Sequence, residues 1–149
     1  MSPLTAPRQT PMRPDYETKQ VMTPQVRSGV VIWEGAIVAL DDGEAVPGRS
    51  APRLTVIGVA QSTVDNRTYP SSLYGRKRRV SVVSGVALFE NSRGDEEIRD
   101  ADIGKACFLE DDRTLARTDG AGRRSRAGTV REVGRDRRVW VELGIGLVR

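Results

Sequence analysis

Residues 36–43 read Ala-Ile-Val-Ala-Leu-Asp-Asp-Gly, an apolar run that stops at two aspartates and a glycine. Five consecutive apolar residues match the length of a β-strand. The following Asp-Asp-Gly is typical of a tight turn, because aspartate and glycine tolerate the backbone angles that such turns require. The stretch therefore predicts a strand that ends in a turn.

Similar short runs, rich in Val and Ile, continue along the chain and are separated by clusters of Gly, Asp, Asn and Pro. Such runs favour strands. The predicted strands cover residues 29–33, 36–40, 54–60, 79–89, 106–109, 128–133 and 138–143. A turn at residues 134–136 is expected to join the last two into a hairpin, and a single helical turn is expected within residues 95–102. We expect an all-β fold, a small β-barrel or sandwich-like domain.

A faint repeat with a period of 70 residues supports a barrel built by duplication. The repeat gives six identities in 26 positions, where about two are expected by chance. The matching residues are Ala36, Asp41, Asp42, Ala51, Arg53 and Gly58 with Ala106, Asp111, Asp112, Ala121, Arg123 and Gly128.

The first 28 residues differ from the rest, since they contain five of the eight prolines and no glycine. Prolines at this spacing exclude a continuous helix or a central strand. We interpret residues 1–28 as an extended arm and residues 29–149 as the β-domain. An arm of this kind can dock on a partner, although a terminal segment without a binding role is the alternative. The apolar anchors of the arm are Leu4, Met12, Tyr16, Val21 and Met22.

The absence of histidine excludes Ser-His-Asp triads, Cys-His dyads and histidine-containing zinc sites. Cys107 is the only cysteine, which excludes an internal disulfide, and its apolar neighbours predict a buried structural thiol. The Asp-Asp pairs at residues 41–42 and 111–112 lack the ligand spacing of a calcium loop and are interpreted as turns. We therefore expect no enzymatic activity, no cofactor and no metal.

No run approaches the roughly 20 apolar residues that a membrane helix needs. The N-terminus has no apolar core of a signal peptide, so we expect synthesis in a cytoplasm and no membrane partner. The formal net charge is +4. Opposite charges lie in blocks, acidic over residues 90–112 and arginine-rich over residues 117–138, which suits pairing between subunits or two solvated loops.

The densest basic run is Arg76-Lys77-Arg78-Arg79. A solvated or protein-contact loop is the preferred interpretation, because aromatic residues are not interleaved with the basic ones as in nucleic-acid-binding motifs. Phosphate or nucleic-acid binding is the alternative. Trp33 and Trp140 lie in predicted strands and are candidates for the core or for a subunit interface.

Residues 29–143 resemble the small β-domain of the capsid decoration (cement) proteins of tailed bacteriophages, the capsid cement-like family. The resemblance is a pattern of Val/Gly strands and turns over about three quarters of the chain. It is carried by residues 29–31, 36–43, 45–47, 57–60, 82–87, 101–104, 108–112, 127–130 and 139–141. The proline-rich arm and the basic run at residues 76–79 are less typical of that family.

The resemblance implies a structural, non-enzymatic protein on the outer capsid surface of the virion, made in the cytoplasm of a bacterial host. Its partners would be the major capsid protein and further copies of itself, as a homotrimer. The arm would bind the major capsid protein, so that repeated contacts act together.

Two alternatives remain open at this stage. One is a structural component of the tail or of the head–tail connector, which the number of copies per particle distinguishes. The other is a basic nucleic-acid-binding β-barrel that uses residues 76–79 and 123–126, which salt-dependent binding would reveal. We favour a protein partner over nucleic acid.

Overall fold

The computed structural model describes residues 2–12, 21–67 and 78–144. Within these residues the chain forms twelve strands and two short 3-10 turns, so the all-β prediction is confirmed. The strands are β1 (Val21–Met22), β2 (Val31–Ile32), β3 (Ile37–Asp41), β4 (Glu44–Pro47), β5 (Thr55–Ala60), β6 (Val64–Asp65), β7 (Val82–Val83), β8 (Gly85–Asn91), β9 (Ala106–Leu109), β10 (Thr114–Ala116), β11 (Arg126–Val133) and β12 (Val139–Leu143).

Five strands close into a barrel in the order β10-β8-β12-β11-β9. All neighbours in it are antiparallel except β8 and β10, which are parallel. A second, curled sheet has the order β1-β7-β5-β3-β4, and β2 pairs with β6 in a small third sheet. In the described part of the chain, no helix is long and apolar enough to cross a membrane.

The predicted turns lie where the sequence indicated. Asp42 and Gly43 both have positive φ, 54° and 84°, and they join β3 to β4 as a two-residue hairpin turn. Gly134 begins the turn between β11 and β12, where its N–H and the carbonyl of Arg138 form a hydrogen bond of 2.8 Å. The helical turn expected within residues 95–102 is instead two 3-10 turns, Gly94–Glu96 and Asp100–Asp102.

The 70-residue repeat corresponds to a repeat of strand arrangement. In the first unit β3 lies between β4 and β5, and in the second β9 lies between β10 and β11. Each unit contains a bulge in its third strand, where Ile57 and Ala127 have no partner in the register. These two residues are 70 positions apart, so the two units share the irregularity as well as the strand order.

Two apolar clusters form the core. The first fills the barrel and the space between the barrel and the curled sheet, with Phe89, Leu109 and Leu115 fully buried. The second lies on the other face of the curled sheet and includes Ile32 and Val38. Since β3 is covered on both faces, its sequence is continuously apolar rather than alternating.

The acidic and arginine-rich blocks pair within this chain. Arg124 contacts Glu96 at 2.5 Å, Arg117 contacts Asp102 at 3.3 Å, and the Arg137–Glu97 pair is longer at 3.7 Å. These ion pairs connect the two 3-10 turns to the segments that flank β11.

Candidate functional site

The candidate site lies at the end of the curled sheet, where β1 pairs with β7. Val21 lies opposite Val83, and Met22 lies opposite Val82. Met22 is partly buried against the second apolar cluster, whereas Val21 remains 65% exposed. Because strand pairing aims adjacent side chains at opposite faces, one residue of β1 packs inward and the other points to solvent.

The same edge carries the two described arginines of the predicted basic loop. Arg79 pairs with Gln25 in an isolated bridge and donates from Nη1 to the carbonyl of Thr23 at 2.8 Å. The N–H of Val26 donates to the carbonyl of Arg78 at 2.8 Å. Both arginine side chains are exposed. We call the surface formed by Val21, Thr23, Arg78 and Arg79 the basic edge.

The structure thus brings together two sets of residues that the sequence predicted separately, the end of the arm and the end of the basic loop. Tyr16 of the arm and Arg76 and Lys77 of the loop lie outside the described residues. Thr23 is the member that sequence analysis missed, because it contributes a backbone carbonyl, which no residue type signals.

The other predicted anchors of the arm lie against this chain's own domain. Leu4 is partly buried on the second apolar cluster, and Met12 packs on the first, opposite Ala87 of β8. Val26 is 4% exposed and belongs to the core. The described folded unit therefore includes residues that precede position 29.

Both tryptophans are partly buried. Trp140 lies in β12 as predicted, opposite Leu88 of β8 and Glu132 of β11. The strand prediction was wrong for Trp33, which follows β2 directly and begins a turn. Gly35, with φ of 86–90°, reverses the chain there, and the N–H of Ala36 donates to the Trp33 carbonyl at 3.0 Å.

Cys107 is fully buried in the barrel, as predicted. Burial raises the pKa of its thiol to about 12, so the thiol is protonated at neutral pH. Its Sγ contacts the carbonyl of Gly128 at 3.7 Å. The residue therefore packs as a small apolar group.

The aspartate pairs have structural contacts. Asp41 accepts hydrogen bonds from Arg27 at 2.8 Å and from Arg49 at 2.9 Å, which hold the pKa of its carboxyl below the usual value. Burial raises the pKa of Asp112 to about 6, although its Oδ1 accepts a 2.7 Å hydrogen bond from the N–H of Leu4. Among the described residues, no group of three or more Cys, Asp or Glu is placed to hold a metal ion.

A polar cleft of about 310 Å³ opens at one end of the barrel. Its charged lining is balanced, with three acidic and three basic side chains: Glu90, Glu97, Asp136, Arg93, Arg137 and Arg138. Arg138 is already paired with Asp136 at 2.7 Å. The cleft therefore presents no net charge to a ligand.

No family model, curated protein or solved structure matches this chain.

Proposed function

We propose that this protein is a structural protein of a tailed-phage head that binds the outer surface of the assembled capsid and stabilises it. The observation that carries the contact part of the proposal is the basic edge. There, one exposed apolar side chain and two exposed arginines lie together at the end of a sheet.

The end of a sheet suits binding of an extended segment. β1 has its partner β7 on one side and is the last strand in the order of the curled sheet. A peptide from another protein can add there by backbone hydrogen bonds, with side-chain contacts giving specificity. Burial of Val21, which is 65% exposed, would add apolar contact area.

The charge of this edge indicates the chemistry of the partner. Arg78 and Arg79 favour an acidic segment, because unlike charges speed encounter and orient docking. The proposed partner is therefore an acidic, extended segment of the major capsid protein. In this proposal Val21 contacts the shell, whereas Leu4 and Met12 keep their contacts with the protein's own domain.

The body behind the edge suits repeated attachment. Two buried clusters lie on the two faces of the curled sheet, so β1 is fixed to a packed scaffold. A subunit bound at many positions needs only modest affinity at each contact, because the contacts of an oligomer act together.

Co-sedimentation with purified, undecorated phage heads tests the proposal. Val21→Asp and Arg79→Glu are each expected to weaken binding about tenfold or more, as loss of a central contact does. Ile103→Asp and Arg123→Glu are matched controls, since they make the same changes at exposed positions away from the edge. Equal binding by Val21→Asp and Ile103→Asp would overturn the assignment of the edge.

A further inference from the structure

Residues 2–12, which we call the strap, lie on the surface of the domain and are held by polar contacts. The N–H of Leu4 donates to Asp112 Oδ1 at 2.7 Å, and the N–H of Arg8 donates to the Glu34 carbonyl at 2.8 Å. The Thr10 hydroxyl donates to the Gly35 carbonyl at 2.6 Å. Most of these bonds involve the strap's backbone, as in the binding of an extended peptide.

The C-terminal end of the strap completes the pairing of β8. The parallel neighbour β10 pairs only with Glu90 and Asn91 of that strand. Further along β8, the N–H of Leu88 donates to the carbonyl of Pro11 at 3.1 Å, and Met12 lies opposite Ala87. The strap therefore occupies a strand position that the barrel leaves open.

The surface beneath the strap is shaped for a backbone. Gly35 has φ of +88°, and a Cβ placed on it would overlap the carbonyl oxygen of Arg8. The surface is also acidic where the strap is basic, because the Glu90 carboxylate offsets part of the cost of burying the Arg8 guanidinium. We call this surface, formed by Glu34, Gly35, Ala87, Leu88 and Asp112, the strap groove.

The strap is separable from the body. Seven of its eleven residues are exposed, so its departure would not require the barrel to open. Pro3, Pro7 and Pro11 restrict the backbone of the free segment, which lowers the entropy lost when it docks again. A strap from a second copy would make the same contacts, and exchange of an identical element is a low-cost route to an oligomer.

We propose that the strap groove receives the strap of a second copy, so that subunits join by exchanging residues 2–12. The partner copy then contributes Met12 and Pro11 to the open position on β8. This inference rests on the proposed function only in that a shell-binding structural protein acts as an oligomer.

A disulfide trap in the full chain tests the exchange. Pro11 and Leu88 form the hydrogen-bonded pair, so Met12 and Ala87 form the closer, non-hydrogen-bonded pair, whose Cβ spacing suits a disulfide. We would oxidise the variant Met12→Cys/Ala87→Cys/Cys107→Ala and compare it with Met12→Cys/Cys107→Ala. Exchange predicts covalently linked chains in the first variant. Disulfides within single chains, or no disulfide at all, would overturn the proposal.

A second measurement keeps the proposal testable if the cysteine variants do not fold. Light scattering should find the wild-type chain as an oligomer and Gly35→Ala as a monomer. Gly43→Ala is the matched control, because Gly43 also has positive φ (84°) but a Cβ there meets nothing within 4 Å. A monomeric wild-type protein, an oligomeric Gly35→Ala protein, or equal loss of assembly in both variants would contradict strap exchange.

These outcomes are independent of the basic edge. If exchange fails while Val21→Asp still weakens binding to heads, the proposed function stands and only the mode of self-assembly is wrong. If exchange succeeds and no head binding occurs, the reverse conclusion follows.

Discussion

Gly58 and Gly128 occupy the same position in the two three-strand units, each directly after the bulged residue. A Cβ at Gly58 would overlap the carbonyl of Val83, and a Cβ at Gly128 would overlap the carbonyl of Glu142. In both units the neighbouring strand therefore approaches a backbone that has no side chain. The match explains why glycine is found at both ends of a 70-residue offset.

Gly128→Ala should consequently destabilise the barrel. The added methyl group meets the backbone of β12 rather than a movable side chain, so we expect a loss of about 1–3 kcal/mol in the free energy of unfolding. Gly122→Ala is the control, because Gly122 has positive φ but open space around it. Denaturant unfolding measures both, and a smaller loss for Gly128→Ala than for Gly122→Ala would contradict this account.

Asp112 should make stability fall as pH rises. Burial raises its pKa from 3.8 to about 6 in the folded state, so the folded protein binds this proton more tightly than the unfolded chain does. The contribution is fully present below about pH 4 and is lost as pH rises through about 6. Asp112→Asn keeps an oxygen acceptor for Leu4 and removes the titration.

The difference in unfolding free energy between Asp112→Asn and wild type, measured from pH 4 to pH 8, isolates this carboxyl from the other acidic groups. We expect the variant to gain stability relative to wild type as pH rises across that window. A difference that does not change with pH would show that Asp112 titrates normally.

Asn91 should be important for the end of the barrel. Its Nδ2 donates to the carbonyls of Ile98 and Arg137 at 2.9 Å each, and its Oδ1 accepts from the N–H of Ile98 at 2.9 Å. Asn91→Leu leaves these buried backbone groups without partners, at a cost of about 1–3 kcal/mol for each group left unsatisfied.

The exposed Ser50, whose hydroxyl donates to the Glu110 carbonyl at 2.8 Å, provides the comparison. Ser50→Ala should change the unfolding free energy by about 1 kcal/mol or less. Equal melting temperatures for Asn91→Leu and Ser50→Ala would exclude the proposed importance of Asn91.

The Cys107 thiol should not react in the native protein. Its burial and its pKa of about 12 remove both access and thiolate. A colorimetric thiol reagent should therefore label Cys107 only after addition of denaturant. Rapid labelling under native conditions at pH 8 would indicate that the barrel opens readily.

The strands that sequence analysis located best are β3, β5, β9, β11 and β12, because their Val- and Ile-rich runs are bounded by turn residues. The analysis missed β1, β4, β6 and β10, which contain two to four residues and show no periodicity. It also predicted one strand over residues 79–89, where the chain forms β7 and β8. Ser84 separates them, and Gly85 follows with φ of 144°.

The candidate site was visible in the sequence only as separate parts. Val21 and Arg79 were each singled out, but their proximity depends on pairing between β1 and β7 across about 60 residues, which no local pattern encodes. The same holds for the strap, whose contacts with Asp112 and Leu88 join residues 108 and 77 positions apart.

The number of copies in purified phage particles tests the central claim most directly. Quantitative protein composition would compare this chain with the major capsid protein of the same particles. The account predicts hundreds of copies per particle, bound to the outside of the head. Absence from the particles would contradict it, and a few copies up to a few dozen would instead indicate a tail or head–tail connector component.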